Sequence, residues 1–189
     1  GDCVLKESLA GVKLSIGPES FFQINPEAAE RMFATLSSWV TGGRVLELFA
    51  GVGALSVLLA SQVDTMITVE NNQASVDLAK ETMSRLGHSH IDCRRGDAYA
   101  IDTLLAEEDP FDVFVVDPPG KGLGPELIKT INESGVSELL MLACRASALR
   151  RDLPLLLEGG FRIAESCLVD QFPKDKYHCK ITGYHYSQH

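Results

Sequence analysis

From residue 44 onward the chain alternates short apolar runs with longer amphipathic ones. That alternation restricts the fold more than any other feature of the sequence. "RVLELF" is followed by a glycine loop and the helical stretch "ALSVLLASQ". "TMITVE" precedes the amphipathic "NQASVDLAKETMSRLG", where Gly87 stands as a helix C-cap. "HIDCRRGDA" is a weaker strand and turn. "DVFVVDPP" is a strong strand before the helix "PELIKTINESG", and "SELLMLAC" another before "SALRRDLPLLLEGG". Pro154 is expected to kink or break that last helix, because it removes a backbone donor and crowds the preceding turn. Buried apolar strands separated by helices predict an α/β fold, a doubly wound and mostly parallel sheet.

The final stretch "FRIAESCLVDQFPKDKYHCKITGYHY" holds two strands with no helix between them, so an antiparallel hairpin is expected at one sheet edge. A mostly parallel, Rossmann-like sheet ending in such a hairpin resembles the class I methyltransferases. At 189 residues the chain is long enough for one full core. Residues 1–24 read as an extended segment with turns at Gly11 and Gly17-Pro18, leading into a domain over 25–189. That domain opens on a helix, with Asn25 as N-cap, Pro26 at the first helical position, and Glu27 and Glu30 near the positive end of the dipole.

No apolar run approaches the roughly 18 residues of a membrane span, and the N-terminus lacks a signal-peptide pattern. A cytoplasmic protein with no membrane partner is expected. The five cysteines, Cys3, Cys93, Cys144, Cys167 and Cys179, include no C-x-x-C pair, so no metal site is signalled. The formal net charge of −9 argues against a free-standing nucleic-acid binder. The charge is uneven, however. Residues 1–110 carry 8 basic against 16 acidic side chains, and residues 111–189 carry 9 against 10. An anionic partner is expected to meet the second half.

"ELFAGVGALS" is the most informative loop. Gly51 and Gly53 allow a sharp turn and a close ligand approach, at the carboxyl end of a strand where open α/β sheets bind ligands. Glu70 ends the next strand, where a carboxylate accepts the ribose hydroxyls of an adenosine. A dinucleotide site would carry a third glycine at position 56, under a pyrophosphate, and Ser56 stands there instead. With Glu47 at the end of the first strand, the loop suits S-adenosylmethionine, which is cationic and has no phosphate. Asp97 in "GDA" follows the third strand, within reach of the adenine.

Four pieces, "FFQINPEAAERMF", "LELFAGVGALS", "VVDPPGKGL" and "DQFP", resemble in order the RNA 5-methyluridine methyltransferases, which act on uracil in tRNA and rRNA. The resemblance runs from about Ser15 to the C-terminus. It implies that Gln23 contacts the cofactor, that Glu70 holds its ribose, that Asp117 stands at the boundary of cofactor and base, and that Cys144 is the nucleophile. Uracil C5 is too poor a nucleophile to take a methyl group from a sulfonium directly. Thiolate addition at C6 makes C5 enolate-like, and a base must then remove the C5 proton. The thiolate needs an electropositive setting, for which Arg145 stands next in sequence. Lys121, Arg145, Arg150, Arg151, Lys174 and Lys176 lie where RNA is expected to approach, with Lys121 and Arg145 as substrate contacts.

The sequence also departs from that family. Its cysteine usually sits in S-C-N-P and here in Ala143-Cys144-Arg145-Ala146. Its D-P-P is usually followed by arginine and here by Gly120. Its general base, a glutamate beyond the F-P of the last loop, falls on Cys179, between His178 and Lys180, and no Asp or Glu follows Asp175. The family's N-terminal RNA-binding β-barrel is not seen, so an additional RNA-binding region is expected. Two alternatives stay open: a cofactor-binding domain without this activity, and a methyltransferase acting on another atom or substrate. Amino-methylating enzymes typically place an aromatic residue after D-P-P, and Gly120-Lys121-Gly122 offers none.

Overall fold

The apolar runs become the inner strands of a seven-stranded sheet in a computed structural model that describes residues 5–9, 11–17, 26–170 and 180–187. An antiparallel hairpin of β1 (Leu5–Leu9) and β2 (Val12–Ile16) turns at Gly11, whose φ of 80° lies in the left-handed region. Helix α1 (Pro26–Trp39) follows, then β3 (Arg44–Leu48), α2 (Ala54–Leu59), β4 (Thr65–Glu70) and α3 (Gln73–Leu86). Next come β5 (Ile91–Arg95), α4 (Asp102–Glu107), β6 (Val113–Val116), α5 (Gly124–Glu133), β7 (Glu138–Ala143) and α6 (Ala146–Glu158). The chain closes on β8 (Arg162–Asp170) and β9 (Lys180–Ser187).

The strand order is β5-β4-β3-β6-β7-β9-β8. The first five strands are parallel, and β9 runs antiparallel to both β7 and β8, which is the expected edge hairpin. This is the class I methyltransferase fold. The order reverses between β3 and β6, and at that switch point the loops leaving two neighbouring strands diverge and open a crevice.

Side chains alternate across each strand and feed two apolar cores. Val45, Met66, Val113, Val115, Leu140 and Leu142 face α1, α2 and α3, and Leu9 and Leu14 of the hairpin join them. Leu46, Leu48, Ile67, Val116, Leu139 and Met141 face the other way, toward α5 and α6. Helix α3 begins at Asn72, whose side chain accepts the Ser75 N–H at 3.0 Å, and ends at Gly87 with φ 77°, as the sequence predicts. The short α4 has no counterpart in the periodicity. With six residues it is too brief to show a repeat.

One part of an expectation is corrected: Pro154 does not break its helix. Helix α6 runs continuously through Pro154. Both Pro154 and Arg150, the residue four positions earlier whose carbonyl loses its donor, are exposed, so water can satisfy that carbonyl. The same helix buries Asp152 (2% exposed), whose Oδ2 accepts the Leu123 N–H at 2.8 Å. Gly122, with φ 81°, leaves the room this carboxylate needs. Asp152 thereby fixes the loop that follows β6. Asp152→Ala is expected to destabilise the chain by about 1–3 kcal/mol through an unsatisfied buried N–H. Asp152→Asn, which keeps an acceptor, should cost less in the same urea titration.

Candidate active site at the carboxyl ends of the parallel strands

Three candidate residues stand on one face of the sheet. In the β3–β6 register Glu47 lies opposite Val115, and in the β6–β7 register Val115 lies opposite Leu140. Counting by twos keeps the face, so Glu47, Asp117 and Cys144 all project toward the α1–α3 side at the ends of neighbouring strands. Cys144 is half-buried and packs against the apolar cluster on that side.

Glu47 is 4% exposed, and its Oε2 accepts a 2.5 Å hydrogen bond from Ser56 Oγ. Burial pushes its carboxyl up to about 8; the Ser56 hydroxyl opposes the shift and the neighbouring Asp117 adds to it. Ser56, read from sequence only as a missing glycine, thus has a positive role. Asp117 keeps part of its surface accessible, yet the surrounding protein desolvates it enough to push it up to about 7. Among the described residues neither carboxylate has a cationic partner. A buried carboxyl without a counter-ion keeps its proton until a cation arrives.

Beside this pair the glycine loop turns tightly. Phe49 has φ 64°, a left-handed conformation that costs a non-glycine residue about 1–3 kcal/mol. It is held there by flanking sheet bonds, from the Asp117 N–H to the Leu48 carbonyl and from the Ala50 N–H to the Val69 carbonyl. Gly51 (φ 55°) donates its N–H to Glu70 Oε2 at 3.0 Å, and Asn72 donates its N–H to Glu70 Oε1 at 2.8 Å. Both oxygens keep lone pairs for further donors. Gly53 (φ 80°) packs so closely that a Cβ there would stand 3.1 Å from Met83 Cε.

A cavity of ≈ 160 Å³ opens between the loops after β3, β4, β5 and β6. Its apolar walls include Phe49, Val69, Ala98 and Pro119, and Glu70 and Asp97 supply carboxylates. Tyr99 meets Phe49 edge to face, with ring centroids 5.1 Å apart, and donates its hydroxyl to the Gly122 carbonyl at 2.9 Å. Asp97 Oδ1 accepts the Tyr99 N–H at 2.9 Å. Lys121 places its Nζ 3.9 Å from the Tyr99 ring centroid, so it borders this cavity. Sequence reasoning missed Phe49 and Tyr99. Tyr99 stands two residues after Asp97 in "GDAY", which was the available signal.

Arg145, the residue after Cys144, lays its side chain over Gly120. The two positions that depart from the family pattern therefore touch each other. In the acidic first half, Arg44 and Arg94 are occupied by ion pairs with Glu108 and Asp92. Gln23, Asn25, Pro18, Phe172, Pro173, Lys174, Lys176, His178 and Cys179 lie outside the described residues. Among the described residues no cluster of three or more metal-ligating side chains occurs, and no helix is long and apolar enough to cross a membrane.

Residues 25–148 match the model of the family described as "Conserved hypothetical protein 95". A 23S rRNA (uracil(747)-C(5))-methyltransferase, RlmC of Shewanella amazonensis, is 31% identical over 172 residues, 89% of this chain and 44% of the relative. A 23S rRNA (uracil(1939)-C(5))-methyltransferase, RlmD of Chromohalobacter salexigens, is 33% identical over 165 residues, 85% and 34% of the two chains. Among solved structures, the Pyrococcus abyssi tRNA (uracil-54, C5)-methyltransferase in complex with S-adenosyl-L-homocysteine superposes with a TM-score of 0.82. It is 24% identical, and the match covers 97% of this chain and 44% of that one. The chain thus spans less than half the length of the relatives named here. Since the family model spans more than half of its residues, the chain belongs to the family described as Conserved hypothetical protein 95, on a class I methyltransferase fold.

Proposed function

We propose that this chain is the methyl-transferring part of an S-adenosylmethionine-dependent RNA uracil-C5 methyltransferase that works through a covalent Cys144 adduct. One observation carries the reading: Glu47, Asp117 and Cys144 share a sheet face at the ends of β3, β6 and β7, beside a cavity with Glu70 at its edge. The named relatives that methylate uracil C5 in rRNA support it. An RNA-binding region elsewhere in the whole protein would bring tRNA or rRNA to the site, in the cytoplasm.

The residues suit the cofactor. Phe49 and the apolar cavity walls would hold the adenine, with Asp97 at its edge and Glu70 on the ribose hydroxyls. Glu47 and Asp117, buried without counter-ions, would face the cationic end, and the family resemblance adds Gln23. Bound there, S-adenosylmethionine supplies an electrophilic methyl group. The Cys144 thiolate adds to uracil C6, shifting the electron pair of the C5–C6 bond toward C5 and O4. C5 would then take that methyl group as the methyl–sulfur bond breaks, leaving the uncharged S-adenosylhomocysteine. A base removes the C5 proton, the C5–C6 double bond reforms, and the C6–S bond breaks to release the thiolate. Asp117 directly follows β6, the strand beside β7, and a carboxyl whose proton affinity is raised by burial is suited to exchange that proton.

Incubation with S-adenosylmethionine and 5-fluorouridine RNA is expected to leave a covalent protein–RNA adduct, because the fluorine at C5 blocks the final elimination. Cys144→Ser should form none. An adduct that persists in Cys144→Ser, or a product methylated on nitrogen, would sink the proposal.

The carboxyl pair makes a second prediction. Both groups hold their protons above the ordinary range, so between about pH 4 and 8 the folded chain binds more protons than the unfolded one. Stability of the cofactor-free chain should therefore fall as pH rises through that window, by at most about 1.4 kcal/mol per pH unit per group. Glu47→Gln should flatten the upper part of the curve in calorimetric melts. Over the same window S-adenosylmethionine should bind more tightly as pH rises, and by more than S-adenosylhomocysteine, whose sulfur is uncharged. Equal pH profiles for the two ligands would contradict this role for the pair.

A further inference from the structure

We propose that Gly120 and Arg145 form a matched pair in which the bare Gly120 backbone seats the Arg145 side chain so that its guanidinium grips an RNA phosphate flanking the base presented to Cys144. The pairing rests on the uracil-C5 reading for the base, and on the following geometry for the grip.

A Cβ built on Gly120 would stand 2.7 Å from Arg145 Nε, 3.1 Å from Cδ and 3.2 Å from Cζ. Gly120 does not have a positive φ, so its backbone conformation does not demand glycine. What the absent side chain leaves open is the space that the Arg145 side chain occupies. Arg145 has extended backbone angles, φ −135° and ψ 122°, directly after Cys144. In extended chain, successive side chains point to opposite sides. Cys144 turns in toward the α1–α3 core, and Arg145 turns out over the loop after β6.

That separation decides what the guanidinium can hold. A base positioned for attack by the thiol would lie on the Cys144 side, and in the proposed arrangement the sugar–phosphate chain leading to it crosses the rim where Arg145 rests. Arg145 is exposed, and among the described residues its guanidinium has no hydrogen-bond or ion-pair partner. Its planar fork of donors matches a phosphate. The loop under the seat is itself fixed, by Asp152 on the Leu123 N–H, by the Tyr99 hydroxyl on the Gly122 carbonyl, and by Arg151 on the Lys121 carbonyl at 2.8 Å.

The test is a double-mutant cycle on binding of a single-stranded oligouridylate, followed by fluorescence anisotropy across a series of salt concentrations. Arg145→Ala should weaken binding about tenfold at low salt and lower the slope of log affinity against log salt by about 0.7, the loss of one phosphate contact. Gly120→Ala should do nearly the same, because its methyl group displaces the guanidinium. In the Arg145→Ala background Gly120→Ala should change nothing further. Arg145→Lys, which keeps the charge, should retain most of the slope, and melting curves confirm that each variant is folded. An unchanged slope in Arg145→Ala, additive effects of the two substitutions, or no binding by the unaltered chain would each overturn the pairing. The cycle needs no turnover. The predicted pattern in a chain that forms no fluorouridine adduct would support the grip and count against the uracil-C5 chemistry instead.

Discussion

The parallel register of β3, β6 and β7 is the constraint from which the site follows. Hydrogen bonding fixes Glu47 against Val115 and Val115 against Leu140, and the two-residue period of a strand carries that alignment to the carboxyl ends. A slip of one residue in β6 would turn Asp117 to the opposite face and replace it there with an apolar side chain. The apolar residues below enforce the register, since Val113, Val115, Leu140 and Leu142 must all face the α1–α3 core together. The same packing that stabilises the sheet therefore aims the carboxyls and the thiol.

Charge is distributed to match. Inside, two carboxyls sit without cations and keep protons that a cationic ligand can displace. Outside, Lys121, Arg145 and Arg151 surround the loop after β6, which is pinned from below by Asp152. Much of the negative net charge lies in the first half of the chain, where Arg44 and Arg94 are already engaged by Glu108 and Asp92. Proton-holding carboxyls thus line the interior of the site and basic side chains its rim. That arrangement suits a small cationic cofactor within and a polyanion across the entrance.

Much of this was legible because it depends on local pattern. Apolar runs of strand length, glycines at Gly51, Gly53 and Gly87, and the terminal hairpin are written in contiguous residues. What escaped depends on residues distant in sequence. Nothing local to Ser56 indicates a hydrogen bond to Glu47, and nothing near Gly120 indicates the side chain of Arg145 above it. Two departures from a family pattern, each odd alone, make sense only once the loop after β6 and the end of β7 are placed together. Pro154 failed as a helix breaker for a related reason. Its cost depends on whether the freed carbonyl meets water, and that is a property of the folded surface.

The proposed reaction at C5 would displace one specific hydrogen, and that gives the most direct measurement. RNA carrying tritium at uridine C5, incubated with the chain and S-adenosylmethionine, should release tritium to water in step with methyl incorporation, and both should vanish with Cys144→Ser. Methyl incorporation with the tritium retained would place the methyl group on another atom and contradict the role assigned to Cys144.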